Sequence, residues 1–78
     1  MKVRDILPNY PLKRIEVRTN GPFGEDMLFG YCYWTGSTLL SLDGDNYYLG
    51  ETVTKYEFDE MAGKLVYWIK SFWSNNRP

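Results

Sequence analysis

The sequence predicts an α+β fold that is mainly β: a short N-terminal helix followed by a four- to five-stranded, mostly antiparallel, twisted sheet. Two observations support this. Apolar or β-branched residues alternate with polar ones in several short runs, and Gly, Pro, Asn and Asp residues separate those runs. The 78 residues suffice for one domain, spanning 1–78, with a single small core. Whether the sheet curls into a small barrel stays open at the level of sequence.

The N-terminal segment, MKVRDIL, predicts a short helix. Val3, Ile6 and Leu7 share one face at the i, i+3, i+4 spacing, and the charged residues between them face water. Pro8 ends the helix, because proline disfavours helical geometry in the residue before it and has no backbone N–H.

The first strand is predicted over residues 12–19, LKRIEVRT, where β-branched and charged side chains alternate. Such alternation is typical of a strand with one buried and one solvated face. The β-branched face carries Ile15, Val17 and Thr19, and the charged face carries Arg14, Glu16 and Arg18.

The second strand is predicted over residues 27–34, MLFGYCYW, after a loop at residues 20–26 rich in Asn, Gly and Pro. Neither face of this run is polar. It therefore predicts either a central strand covered on both sides or a strand with one buried face and one face offered to a partner.

A tight turn is predicted at residues 43–46, Asp-Gly-Asp-Asn, between short strands at 38–42 and 47–49. The Asp-x-Asp start also belongs to calcium-binding EF-hand loops, which need Gly at the sixth position and Glu at the twelfth. Those positions hold Tyr48 and Thr54 here. The stretch therefore predicts a turn, and no metal site.

The last two strands are predicted over residues 54–59, TKYEFD, and 64–70, KLVYWIK, as a hairpin. The second run also fits one face of a helix, but Val, Tyr, Trp and Ile favour a strand. A polar tail is expected from about residue 74.

The composition argues against an enzyme and against a cofactor. The chain contains no His and a single Cys, Cys32, which lies in an apolar run without a base to activate it. The carboxylates fall at turns or on alternating strand positions, where solvated charge is expected. No signal peptide or membrane-spanning run of ~18 apolar residues is present, so a cytoplasmic protein is expected.

Aromatic residues make up 18% of the chain. Most of these rings are expected in the core, but fourteen are many for one small core, and Tyr and Trp are enriched at binding hot spots. Whether the surplus rings are core or binding surface stays open at the level of sequence. The sequence therefore predicts a protein-interaction module. An exposed edge strand would also allow two copies to pair as a homodimer. The predicted partner-binding residues are Tyr31, Tyr33, Trp34, Asp43, Asp45, Tyr47 and Tyr48.

The alternative is a sheet protein that stacks single-stranded nucleic acid on an aromatic face. The formal net charge is −1 and the two signs are interleaved along the chain. Because nucleic-acid binding usually needs a clustered basic face, protein recognition is favoured over nucleic-acid binding.

Three segments, MKVRDIL, LLSLDGDNYYLGETVTKYEF and KLVYWI, resemble small proteins of unassigned role in Firmicute bacteria, their phages and their mobile elements. The resemblance implies a short helix leading into a β-meander. It also implies a phage or prophage context, in which such a chain binds and inhibits a host protein, for example a defence nuclease in the manner of anti-CRISPR proteins. The shared core is Leu-x-x-Leu-Asp-Gly-Asp-x-Tyr, carried here by Leu39, Leu42, Asp43, Gly44, Asp45 and Tyr47.

Overall fold

The computed structural model describes residues 1–70. A 3-10 turn spans Val3–Asp5, and the strands are β1 Leu12–Asn20, β2 Asp26–Trp34, β3 Leu39–Ser41, β4 Val53–Asp59 and β5 Lys64–Ile69. They form one five-stranded mixed sheet with the strand order β3-β2-β1-β5-β4, in which the β1–β5 pair is parallel and the other three neighbouring pairs are antiparallel. The mainly β prediction is confirmed, and the sheet is open, with edges at β3 and β4, so no barrel forms.

The two faces of the sheet differ because residues 1–70 cross over only one of them. Strands β3 and β4 lie at opposite edges, so the connection between them, residues 42–52, must traverse the sheet; we call it the crossover segment. The N-terminal segment is bound to it. The Val3 N–H donates to the Glu51 carbonyl (3.0 Å), and the Arg4 N–H donates to the Leu49 carbonyl (3.1 Å).

Together these two segments form a lid over the core on what we call the covered face. Ile6 and Leu7 from the N-terminal segment, and Tyr47 and Leu49 from the crossover segment, pack against the buried cluster. The other side, the open face, carries mostly exposed or half-buried side chains. The buried cluster consists of Val3, Leu12, Ile15, Val17, Cys32, Trp34, Leu39, Val53, Leu65, Tyr67 and Ile69.

The predicted N-terminal helix is reduced to a single 3-10 turn. With Pro8 so close, too few residues remain to repay the cost of nucleating an α-helix. The backbone N–H groups of Val3 and Arg4 bond to the crossover segment instead. The predicted apolar face nevertheless packs against the core, because Val3 is buried and Ile6 and Leu7 contact the buried cluster.

Strand β2 contains a bulge that regular alternation did not predict. Val17 pairs with Gly30, but Arg18 pairs with Leu28, so Phe29 is an extra residue in β2. Side chains before and after the bulge therefore exchange faces. Leu28 joins the open face, where the later residues Tyr31 and Tyr33 lie, while Gly30, Cys32 and Trp34 face the core.

The Asp-Gly turn is confirmed, but the strand predicted after it does not form. Gly44 has a φ of 91°, a conformation that favours glycine, and its N–H donates to the Ser41 carbonyl (2.9 Å). Beyond the turn, only one isolated bridge pairs Leu40 with Asn46. The Tyr47 N–H still donates to the Leu39 carbonyl (2.9 Å), and after Tyr47 the chain leaves the hairpin along the path of the crossover segment.

The C-terminal hairpin is confirmed. Strands β4 and β5 pair antiparallel from Val53 to Asp59, and KLVYWI is a strand, so the helical alternative is wrong. The polar tail predicted from about residue 74 lies outside the described residues. Among residues 1–70, β4 has β5 as its one neighbouring strand, and at its other edge the Val53 N–H donates to the Met1 carbonyl (2.8 Å). Pairing of two copies along such an edge stays a prediction.

Replacing Trp34 tests how the lid is held. Its indole is 8% exposed, and its Nε1–H donates to the Pro8 carbonyl (2.7 Å), which ties the N-terminal segment to β2. We expect Trp34→Ala to lower the free energy of unfolding by ~3–5 kcal/mol through the lost ring. Trp34→Phe keeps most of the ring and loses the hydrogen bond, so we expect a loss of ~1–3 kcal/mol. Urea unfolding followed by circular dichroism measures both; equal losses would contradict the role of ring packing.

Candidate functional site

The residues predicted to bind a partner do not form a single surface. Trp34 is buried in the core, so its ring cannot reach a partner in the folded protein. Tyr31 and Tyr33 lie half-buried on the open face. Tyr47 and Tyr48 belong to the crossover segment on the covered face, where Tyr47 packs against the core and Tyr48 is 71% exposed.

The two predicted acids, Asp43 and Asp45, lie exposed at the turn after β3. The backbone closes this turn: the Ser41 N–H donates to the Asp45 carbonyl (2.7 Å). Among residues 1–70, no group of three or more His, Cys, Asp or Glu side chains is placed to hold a metal ion. Asp43 and Asp45 are therefore solvated turn residues.

A connected set of polar side chains lies on the open face around Asp26. Arg18 donates through Nη1 to Glu16 Oε2 (2.6 Å) and through Nε to Asp26 Oδ1 (3.0 Å). The Trp68 indole Nε1–H donates to the same Asp26 oxygen (2.8 Å). We call these four residues the open-face network. It links β1, β2 and β5 across the sheet.

The network shifts the pKa of both of its central groups. The hydrogen bond from Arg18, followed by that from Trp68, lowers the pKa of Asp26 below its ordinary value of 3.8. The hydrogen bond to Asp26, followed by that to Glu16, raises the pKa of Arg18. Both groups therefore keep their charges throughout the neutral range.

Two further cations on the open face lie against aromatic rings. The Arg14 guanidinium carbon lies 5.6 Å from the centre of the Tyr31 ring, and Lys55 Nζ lies 4.1 Å from the Trp68 ring. Trp68 is thus enclosed by Lys55 over its face and Asp26 at its N–H. This explains why Trp68 is only 8% exposed although it lies outside the core cluster.

An apolar area adjoins the network on β2 and β3. Leu28 is 47% exposed, and Tyr33 pairs with Leu40 on the neighbouring strand. Tyr31, two residues before Tyr33, lies between this pair and the network, because it is the cross-strand partner of Glu16. We call Leu28, Tyr31, Tyr33 and Leu40 the open-face patch.

Sequence reasoning missed most of this site. Alternation over residues 12–19 correctly placed Arg18 on a polar face, but Asp26 and Trp68 are 42 positions apart in the chain. Their contact depends on β5 pairing with β1, for which the sequence carries no local signal. The cross-strand contact of Lys55 with Trp68 could have been found from the predicted hairpin, since both residues lie within it.

Cys32 behaves as the sequence predicted, as a small buried apolar residue. It is fully buried, and burial raises the pKa of its thiol to about 12. Burial also raises the pKa of the neighbouring Tyr67 hydroxyl. The Cys32 thiol therefore stays protonated near neutral pH, and the protonated form is a weak nucleophile.

No protein-family model, no curated protein and no solved structure matches this chain. Within the described residues, no helix is long and apolar enough to cross a membrane.

Replacing Asp26 tests the open-face network. We expect Asp26→Asn to lower the melting temperature at neutral pH, because a neutral amide is a weaker acceptor for Arg18 and Trp68. The pKa of Asp26 is lowered in the folded state, so its contribution is complete above pH 3.8. That contribution is lost as the pH falls through the lower, folded-state pKa.

The difference in melting temperature between the native protein and Asp26→Asn should therefore shrink in acid. Thermal unfolding followed by circular dichroism from pH 7 down to about pH 2 measures it. Asp43→Asn, at the exposed turn, is the matched control and should change the melting temperature little at any pH. A difference for Asp26→Asn that stays constant into acid would contradict the ionic role of Asp26.

Proposed function

We propose that this protein is a non-enzymatic interaction module that binds another protein through the open face of its sheet. The observation that carries the proposal is the open-face patch beside the open-face network. Tyrosine and leucine side chains there stand next to charged groups whose positions are already fixed. Protein interfaces combine such an apolar, aromatic centre with a polar rim.

The network also reduces the cost of binding. Ordering a long, free side chain at an interface costs about 0.5–1.5 kcal/mol. Arg18 is already held by two carboxylates, and Lys55 already lies over the Trp68 ring. A partner would therefore meet side chains that lose little freedom on binding.

The charges on the open face favour a protein over single-stranded nucleic acid. Three of its cations are engaged within the molecule, Arg18 by carboxylates and Arg14 and Lys55 by aromatic rings. Phosphate binding depends on cations that release counterions and track a backbone. The strand register places Arg14, Arg18, Lys55 and Lys64 on this face together with Glu16, Asp26, Glu57 and Asp59.

The resemblance to phage and mobile-element proteins supports a finer form of the proposal, in which the partner is a host protein such as a defence nuclease and binding inhibits it. The mixed charges of the open face fit recognition of a protein surface. Mimicry of nucleic acid would instead call for a uniformly acidic face.

A pull-down from host lysate, with and without nuclease treatment and read by mass spectrometry, tests the proposal. We expect a single protein to be retained after nuclease treatment. Tyr33→Ala and Leu28→Ser should each weaken its binding by about 30-fold, the effect of losing ~2 kcal/mol at a hot spot. Binding of the purified partner to each variant gives this ratio.

Tyr56→Ala is the matched control, because Tyr56 is also a partly exposed strand tyrosine (43%) but pairs with Tyr67, which faces the core. It should bind the partner normally. Loss of all bound protein after nuclease treatment would favour nucleic acid. Unchanged binding by folded Tyr33→Ala and Leu28→Ser would show that the open face is not the site.

A further inference from the structure

The covered face contains a cavity of about 240 Å³ between the sheet and the crossover segment. Four aromatic side chains line it: Phe29 from β2, Tyr47 and Tyr48 from the crossover segment, and Tyr67 from β5. Glu51, Asn46, Val17 and Ile69 complete the lining. The cavity lies on the side of the sheet opposite the open-face patch, so it is separate from the proposed protein-binding surface.

Two local features of β2 determine the shape of this cavity. The bulge brings Phe29 to the wall of the cavity, although the residue before it, Leu28, lies on the open face. Gly30 lets the crossover segment approach the strand closely. A Cβ atom at this position would lie 3.1 Å from the Tyr47 hydroxyl oxygen, closer than an ordinary contact.

Glu51 supplies a negative charge without a partner in the described part of the chain. Its backbone carbonyl accepts the Val3 N–H (3.0 Å), so the residue is held in place. The residue is half-buried, and its carboxylate makes no hydrogen bond or ion pair with any residue of 1–70. A cation bound beside this unpaired carboxylate would complement its charge.

We propose that this cavity binds a methylated ammonium group. Aromatic rings attract a cation through the negative potential of their faces, and such cages recognise quaternary ammonium ligands. The Glu51 carboxylate supplies the complementary charge. A methylated ammonium has few or no N–H donors to satisfy, which suits a lining in which six of the eight residues are aromatic or aliphatic.

The size of the cavity supports a small ligand group. Pockets for drug-sized ligands enclose roughly 300–1,000 Å³, and this one is smaller. It fits the head group of a free small molecule, such as choline, or of a side chain, such as trimethyllysine in a peptide. The two sources present the same chemistry to Glu51 and the rings.

Titration with tetramethylammonium chloride, followed by two-dimensional ¹H–¹⁵N NMR of the whole chain, tests the proposal. We expect saturable shifts of the amide signals of Gly30, Tyr47, Tyr48 and Gly50, and no such shifts with potassium chloride at the same ionic strength. tert-Butanol, a neutral molecule of similar shape, should bind at least about tenfold more weakly. Equal binding of tert-butanol, or no saturable shift, would overturn the proposal.

Variants identify the groups that hold the cation. Glu51→Gln removes the charge and keeps the shape, and we expect it to weaken binding about tenfold or more. Glu57→Gln, on the open face, is the matched control and should bind as the native protein does. Tyr48→Leu should also weaken binding, and since Tyr48 is 71% exposed, this variant is expected to fold normally. Native affinity in folded Glu51→Gln would overturn the assignment of Glu51.

Choline and a peptide containing trimethyllysine then distinguish the two sources of the group. Tighter binding of either one than of tetramethylammonium supports the cavity as its site and identifies the source. If choline and the peptide both bind more weakly than tetramethylammonium, the proposal is overturned. A site for a methylated ammonium group must also bind that group when the rest of the ligand is attached to it. The ligand titrations and the pull-down test separate proposals. Glu51→Gln and Tyr48→Leu change the cavity on the covered face and leave the open face as it is in the native protein.

Discussion

The parallel pairing of β1 with β5 is the constraint on which the rest of this structure depends. It joins the β1–β2–β3 meander to the β4–β5 hairpin and places Ile15 beside Leu65 and Val17 beside Tyr67, all of them buried. Because the β4–β5 hairpin lies on the far side of β1, the chain must cross the sheet between β3 and β4. That crossing, with the N-terminal segment bound to it, covers one face of the sheet and leaves the other open.

Within residues 1–70, the open face is held by polar contacts rather than by a second layer. Solvent-accessible ion pairs such as that of Arg18 with Asp26 typically contribute little to the free energy of unfolding. Their consequence here is geometric, because Asp26 accepts hydrogen bonds from both Arg18 and Trp68 and so fixes side chains of three strands relative to one another. The open-face patch therefore lies beside charged side chains that are already held by hydrogen bonds. A protein partner would lose little side-chain entropy in contacting them.

A single irregularity in β2 contributes to both proposed sites. The bulge at Phe29 places Leu28 on the open face with the tyrosines and brings Phe29 to the wall of the cavity on the covered face. A regular strand would have put Leu28 on the face of Gly30 and Cys32 instead. One inserted residue therefore changes which side chains each surface presents, as bulges do near functional sites in other sheets.

The sequence by itself determined most features that depend on near neighbours: the five strands, the two faces of β1, the tight turn at Gly44 and the β4–β5 hairpin have the predicted positions to within a few residues. The short strand predicted at residues 47–49 does not form. It also indicated that Cys32 is buried. Alternation reports which side chains of one strand share a face, but it does not report which strand lies beside it. Only the tertiary structure therefore decided that Trp34 is core, that Asp26 meets Trp68, and that Tyr31 and Tyr48 lie on opposite faces. Each of these outcomes follows from the β1–β5 pairing, the bulge in β2 or the path of the crossover segment, which depend on contacts between residues far apart in the chain.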